Sequence, residues 1–244
     1  MKKPFLTKQI RGLWRIVPTL LALVFGLIWS GFGHAQATVE VPREYIESDW
    51  RPRYAELLEG YGKHKELPAG FELQALLALR HYPELKDIKI RFIVDDVSIP
   101  LSSRPLWTTL LNSAKRRTYL VVIDTDRESG RQALLVKNQP FNAQVGIIGH
   151  ELAHTVYYLE RSFFGIISDA ICQLSDCRIE FERDTDTRLI EYGLGWQRYD
   201  HALFVRREFA GSDGAALTAQ GGGGAYRSPA ELLELMQANS FYSD

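Results

Sequence analysis

Hydrophobic residues three and four positions apart predict five helices in this chain. Such spacing indicates a helix because it places the apolar side chains on one face. Pro83 stops the first segment, Gly193 follows the third, and the last begins at Ser228 and Pro229, which suit an N-cap and a first helical position. Asn142 is a candidate N-cap for the second helix. The predicted helices cover residues 71–82, 143–158, 178–192, 196–209 and 228–237.

Shorter apolar runs with a different period predict a small sheet. Residues 88–94 alternate apolar and basic side chains before turning fully apolar, as in a strand with one buried face. Residues 119–123 and 133–136 are two further runs typical of strands, separated by the turn-like segment 124–130. We therefore predict an α+β fold built on a small, mostly antiparallel sheet.

The first 37 residues have the composition of an export signal. They contain five basic and no acidic residues, an apolar run over 16–32, and at 35–37 a small-x-small sequence of the kind that signal peptidase cleaves. The apolar run is long enough that an uncleaved membrane anchor is the alternative. Either outcome places residues 38–244 outside the cytoplasm, in the periplasm or anchored to the outer face of the inner membrane. We expect 38–244 to be a single domain with a flexible glycine link at 221–224.

The charge balance of residues 38–244 excludes one class of partner. This part of the chain carries 30 acidic and 24 basic side chains. Binding to nucleic acid requires a basic surface, so we expect no nucleic-acid partner.

Cys172 and Cys177 are the two cysteines of the chain. In an exported protein this pair predicts a local disulfide, since a thiolate zinc site would need closer spacing and a second pair. The apolar segment 162–171 before them is too short to cross a membrane, and we expect a buried or membrane-touching loop there.

The most informative sequence is His150-Glu151-Leu152-Ala153-His154, inside the second predicted helix. A spacing of four places both imidazoles on one helix face, where they can bind one zinc ion. Glu151 leaves the helix about 100° from His150, so it can reach a zinc-bound water without ligating the metal. Zinc lowers the pKa of that water toward about 7, and Glu151 can then take its proton as general base.

The competing interpretation is that the two histidines are structural and are held by ordinary hydrogen bonds. Glu151 argues against it, because the neighbouring residues of the helix are uncharged and burial of a carboxylate without a partner is costly. The sequence therefore favours a zinc site.

This motif resembles that of the zincin superfamily of metallopeptidases. The three-histidine branch would require glycine and histidine where this chain has Tyr157 and Glu160. In the glutamate branch, the gluzincins, a later helix supplies the third ligand in the pattern Glu-x-x-x-Asp, which residues 182–186 match. The resemblance implies Glu182 as the third zinc ligand and Asp186 as hydrogen-bond acceptor behind a ligand histidine. It also implies a zincin-like fold with an active-site helix and a ligand-bearing helix.

A second register for the third ligand stays open. Glu180 and Asp184 have the same spacing two residues earlier and would face about 200° away on a helix. We favour Glu182 because the flanking apolar residues would lie nearer its side, and because the segment resembles the ligand helix of membrane-linked gluzincins. Without the upstream motif, the same acidic run would indicate a solvated helix face. The flanking apolar residues that favour Glu182 are Ile179, Leu189 and Ile190.

One role is not assigned by the sequence. A group that stabilises the oxyanion opposite the metal could be Tyr157, Tyr192 or His201, and their positions do not choose among them. If neither glutamate were the third ligand, Asp169 and Asp176 would be the nearest carboxylates.

The sequence thus predicts an exported zinc-dependent peptidase that hydrolyses a peptide or protein substrate. The substrate is expected to add as an extra strand along the sheet edge. Two alternatives stay open, namely an inactive zincin-like scaffold protein of the envelope and a zinc amidase that acts on cell-wall amides. The intact Glu151 favours hydrolysis over a scaffold, because a structural zinc site needs no general base. Membrane contact is expected through the N-terminal segment.

Overall fold

The computed structural model describes residues 41–95, 101–124, 134–172, 177–210 and 226–242. The predicted signal 1–37, the glycine link 221–224 and Asp176 lie outside the described residues. The described chain is a mixed α+β fold with a small sheet, as the sequence predicts.

The sheet has four strands in the order β1-β2-β4-β3. They are β1 (Lys65–Glu66), β2 (Lys89–Asp95), β3 (Leu101–Pro105) and β4 (Thr118–Asp124). β2 is parallel to both β1 and β4, whereas β3 is antiparallel to β4. The prediction of a mostly antiparallel sheet is therefore wrong, since two of these three strand pairs are parallel.

The position of β4 explains the parallel pairing. Its residues Tyr119 to Asp124 are buried without alternation, as in a strand covered on both faces, so it lies inside the sheet between β2 and β3. β3 runs back along the outer side of β4, and β4 consequently starts at the same end of the sheet as β2. β2 keeps the predicted pattern, with Ile90 and Phe92 buried and the basic residues Lys89 and Arg91 exposed.

The apolar run predicted as a strand over 133–136 does not join the sheet in its described part. A turn of 3-10 helix covers Val136–Asn138 instead. Leu135 and Val136 are fully buried there, so the hydrophobic signal reflects burial and not strand pairing.

The predicted helices are all present, with ends that shift by up to three residues. Pro229–Gln237 begins with a full capping box, in which Ser228 accepts from the backbone of Glu231 and the Glu231 side chain accepts from Ser228. The proposed N-cap Asn142 is wrong, because the helix starts one residue earlier and Asn142 instead bonds the Tyr45 backbone. The helices are α1 (Glu47–Trp50), α2 (Tyr54–Tyr61), α3 (Glu72–Leu79), α4 (Phe141–Leu159), α5 (Phe163–Cys172), α6 (Cys177–Glu191), α7 (Gly195–Ala210) and α8 (Pro229–Gln237).

α5 corrects a further expectation, since 162–171 was predicted to be a loop. The segment is helical, with Ile166 buried and Phe164 and Ile171 exposed to solvent. The predicted disulfide between Cys172 and Cys177 is present and joins the end of α5 to the start of α6. In the part of the chain that the structure describes, no helix has both the length and the apolar character needed to span a membrane.

α4 lies at the centre of the fold, packed against α3, α6, α7 and β3. Its residues Val145, Ile148 and Leu152 are fully buried. α4 approaches α7 so closely that a Cβ at Gly146 would lie 2.2 Å from the Gln197 carbonyl oxygen. Only glycine permits this contact, which holds two helices rigidly beside each other one turn before His150.

Candidate metal centre

Three side chains from two packed helices converge on one point. His150 and His154 project from the same face of α4, and Glu182 projects from α6. One potential ligand atom from each lies within 4.8 Å of the others. Glu182 Oε2 is 3.0 Å from His150 Nε2 and 3.3 Å from His154 Nε2. The structure therefore brings together the three residues that the sequence predicts as metal ligands.

The cluster is shielded from solvent. The side chains of His150, His154 and Glu182 are 1%, 7% and 12% exposed. Burial lowers the pKa of His150, but hydrogen bonds to Asp186 and Glu182 outweigh it and raise that pKa to about 9. Burial acts in the opposite sense on Glu182, yet the two histidines hold the pKa of its carboxyl well below the usual range. The cluster is thus built around a charged carboxylate.

Asp186 lies one turn after Glu182 and is completely buried behind His150. Its Oδ1 is 2.9 Å from His150 Nδ1, in the position of an acceptor for the Nδ1 proton. Burial raises the pKa of Asp186, whereas the positive charge of Arg198 and the bond to His150 lower it far more. Asp186 consequently stays ionised, which suits the acceptor role that the resemblance implies.

His154 is oriented by a different group. Thr185 Oγ1 donates its proton to the Phe181 carbonyl at 2.8 Å, so its oxygen is left to accept from His154 Nδ1 at 3.1 Å. The Phe181 ring also stacks on the imidazole, with centroids 4.8 Å apart. Both histidines therefore present Nε2, and not Nδ1, toward Glu182.

Glu151 is buried on α4 and follows His150 directly in the sequence. Among the described residues, none forms a hydrogen bond with its carboxylate. Burial raises the pKa of Glu151 and the charge of Glu182 adds to it, while His154 and His150 oppose the shift. A carboxyl group with a raised pKa is better matched to accepting and releasing a proton near neutral pH than an ordinary glutamate is.

The competing residues of α6 are exposed. Glu180 and Asp184 lie on the solvent side of the helix, away from the histidines. Asp169, the alternative carboxylate on α5, forms a two-point ion pair with Arg161. None of these three takes part in the cluster.

The three sequence candidates for an oxyanion-stabilising group have other partners. The Tyr192 hydroxyl donates to Glu84, and His201 bonds Gln139 through Nδ1. Tyr157 lies beneath the guanidinium groups of two arginines. The structure does not bring any of them into the cluster of His150, His154 and Glu182.

Two residues near the cluster were missed by the sequence reasoning. The ring of Tyr226 lies 5.9 Å from that of His150, and burial together with the charges of Glu182 and Glu151 raises the pKa of its hydroxyl. Arg198 of α7 is buried against Asp186. Tyr226 follows the glycine run and Arg198 lies in a helix without a motif, so no local pattern marks either residue.

Comparisons with protein-family models, with curated proteins and with solved structures found no match for this chain.

Proposed function

We propose that the protein is a zinc-dependent metallopeptidase. His150, His154 and Glu182 are its zinc ligands, and Glu151 is its general base. The observation that carries the proposal is the convergence of two imidazole nitrogens and one carboxylate oxygen beside a buried glutamate with a raised pKa. Two histidines and one glutamate are a ligand set of catalytic zinc sites, in which the fourth position is left for water or substrate.

The surrounding residues orient the two histidines in a way that suits a bound metal ion better than a cluster held only by hydrogen bonds. Asp186 and Thr185 fix both Nδ1 atoms, so both Nε2 lone pairs can point at a common ion. Glu182 supplies a negative charge between them. A zinc ion bound there would lower the pKa of a coordinated water to about 7 and polarise the scissile carbonyl.

Glu151 performs the proton transfers in this proposal. Its carboxylate accepts a proton from the attacking water and then donates it to the nitrogen of the leaving amine. Because it follows His150 directly on α4, Glu151 lies beside the metal ligands without joining them. Its buried environment keeps the proton available for the second transfer.

We further propose that the fold is zincin-like, with α4 as the active-site helix and α6 as the gluzincin ligand helix. The order of sheet, α4 and α6 along the chain supports this, and so does the spacing within both helices. The edge strand β3 is tied to α4 by the hydrogen bond between Ser103 and Thr155, one residue after His154. A peptide substrate is proposed to add along this edge, and the protein is proposed to act after export.

The test is Glu151→Gln in the full-length chain, with zinc content and cleavage of casein and a peptide library measured together. Glutamine keeps the size of the side chain and loses the base, so the variant should retain one zinc and cleave far more slowly. Glu160→Gln is the matched control, because Glu160 is exposed at the end of the same helix and should change neither quantity.

Three results would contradict the proposal or narrow it. A wild-type chain without zinc would remove the metal centre, and undiminished cleavage by the Glu151 variant would remove the general base. Zinc binding with hydrolysis of cell-wall amides but not of peptides would move the substrate class to the amidase alternative.

A further inference from the structure

Arg198 is an arginine whose side chain is buried in the protein interior. Its side chain is 2% exposed and is among the largest fully buried side chains of the described chain. Burial of a guanidinium group is strongly unfavourable unless a charged partner compensates it. The burial of Arg198 therefore depends on the charged groups that its guanidinium contacts.

The partner of Arg198 is Asp186, the acidic residue behind His150. Arg198 Nε donates to Asp186 Oδ1 at 2.6 Å, and the same oxygen is 2.9 Å from His150 Nδ1. Arg198 Nη2 lies 3.5 Å from the other carboxylate oxygen. One oxygen of Asp186 is thus held between the arginine and the histidine, so its position depends on both.

The backbone that carries Arg198 is fixed relative to the metal cluster. A Cβ at Gly146 would lie 2.8 Å from the Arg198 backbone nitrogen, and Gly146 is one turn before His150 on α4. The opposite end of Arg198 is fixed as well, because its guanidinium carbon lies 5.4 Å from the centre of the Tyr226 ring. Arg198 therefore has little freedom to move away from Asp186.

We infer that Arg198 is a positioning residue of the metal centre, which acts by holding Asp186 where it orients the ring of His150. Without this contact, the Asp186 carboxylate would have two partners of different kinds among the described residues, the His150 Nδ1 proton and the Arg227 backbone amide at 3.3 Å. The carboxylate could then rotate between them, and the His150 ring would lose its fixed direction. This inference rests on the proposed zinc site.

A purely structural ion pair would give a different result from a positioning residue. Loss of a structural pair lowers the stability of the whole protein, but it leaves zinc affinity of the folded molecules unchanged. Loss of a positioning residue weakens zinc binding because Asp186 is no longer held in place. Replacement of Arg198 should therefore have no further effect on zinc affinity in a variant whose Asp186 has already been replaced. The two cases are separated by a double-mutant comparison.

The experiment measures zinc affinity of the full-length chain by competition with a chelator, together with thermal unfolding of the zinc-free form. The variants are Arg198→Met, Arg198→Lys, Asp186→Asn and the Arg198→Met/Asp186→Asn pair. Arg198→Met should weaken zinc binding about tenfold or more, and Arg198→Lys should lose less because lysine keeps a positively charged hydrogen-bond donor group. Arg207→Met is the control, since Arg207 is exposed in the last turn of the same helix.

The double variant decides the question even if Arg198→Met alone is too unstable to purify, because it leaves no unpaired buried carboxylate. The inference expects it to bind zinc as Asp186→Asn does, within about twofold. A further tenfold loss in the double variant, or unchanged affinity in folded Arg198→Met, would overturn it. Absence of zinc binding in the wild type would instead contradict the proposed function itself, and the inference with it.

Discussion

Zinc binding should depend on pH through His150, whose pKa is raised to about 9 by its carboxylate partners. A histidine must lose a proton before its Nε2 can bind a metal, so protons compete with zinc at this residue. At pH 7, a group with this pKa is deprotonated in only about one molecule in a hundred. The zinc dissociation constant should therefore fall as the pH rises toward 9 and then become constant.

The size of the effect follows from one proton. Well below the pKa, each pH unit should weaken zinc binding about tenfold. Because a group with a pKa of about 9 is half deprotonated at pH 9, the change between pH 7 and 9 is about 50-fold. A histidine with the ordinary pKa of about 6.5 would change the constant by less than about twofold over the same range. The two cases are readily distinguished by chelator competition at constant ionic strength, with the chelator calibrated at each pH.

Asp186→Asn provides the internal comparison, because it removes one of the charges that raise the pKa of His150. Its pH dependence should be shallower than that of the wild type and should level off at lower pH. A wild-type dissociation constant that varies by less than twofold between pH 7 and 9 would refute the reasoning about His150.

Further predictions concern single substitutions. Replacement of either motif histidine by alanine should abolish zinc binding, measured by elemental analysis, and full occupancy in both variants would exclude the assignment. Glu182→Ala should weaken zinc binding at least about tenfold and abolish activity, whereas Glu180→Ala should leave both unchanged and alter stability by less than about 0.5 kcal/mol. The reverse pattern would move the site two residues upstream. Gly146→Ala should destabilise the fold by about 1–3 kcal/mol in chemical denaturation, while Gly60→Ala should not, because nothing lies within 4 Å of a Cβ there. Equal midpoints for the two glycine variants would contradict the close helix contact.

The part of the cluster that depends on helix periodicity could be predicted from the sequence. The spacing of His150 and His154 determines that they share a face of α4, whatever the rest of the fold does. The choice of Glu182 over Glu180 had weaker support, because the apolar residues that favoured Glu182 are not all buried. Leu189 and Ile190 are buried as expected, but Ile179 is 43% exposed.

The features that sequence reasoning missed depend on contacts between distant segments. β3 has the sequence Leu-Ser-Ser-Arg-Pro, which lacks the alternation of apolar and polar residues that is typical of a strand. A prediction that omits β3 also omits the chain reversal that makes β2 and β4 parallel. Arg198 contacts Asp186 only because α7 packs on α4 and α6. Tyr226 reaches His150 from a segment 76 residues further along the chain, and no local pattern encodes such a contact.

The most direct test of the central claim is a crystal structure of the zinc-loaded full-length protein, with anomalous diffraction measured at the zinc absorption edge. The proposed site predicts one zinc ion, about 2.0–2.1 Å from Nε2 of His150 and His154 and about 2.0–2.2 Å from a carboxylate oxygen of Glu182. Glu151 should lie nearby without ligating it. No anomalous peak at this cluster, or a zinc ion held there by Glu151 in place of Glu182, would contradict the account.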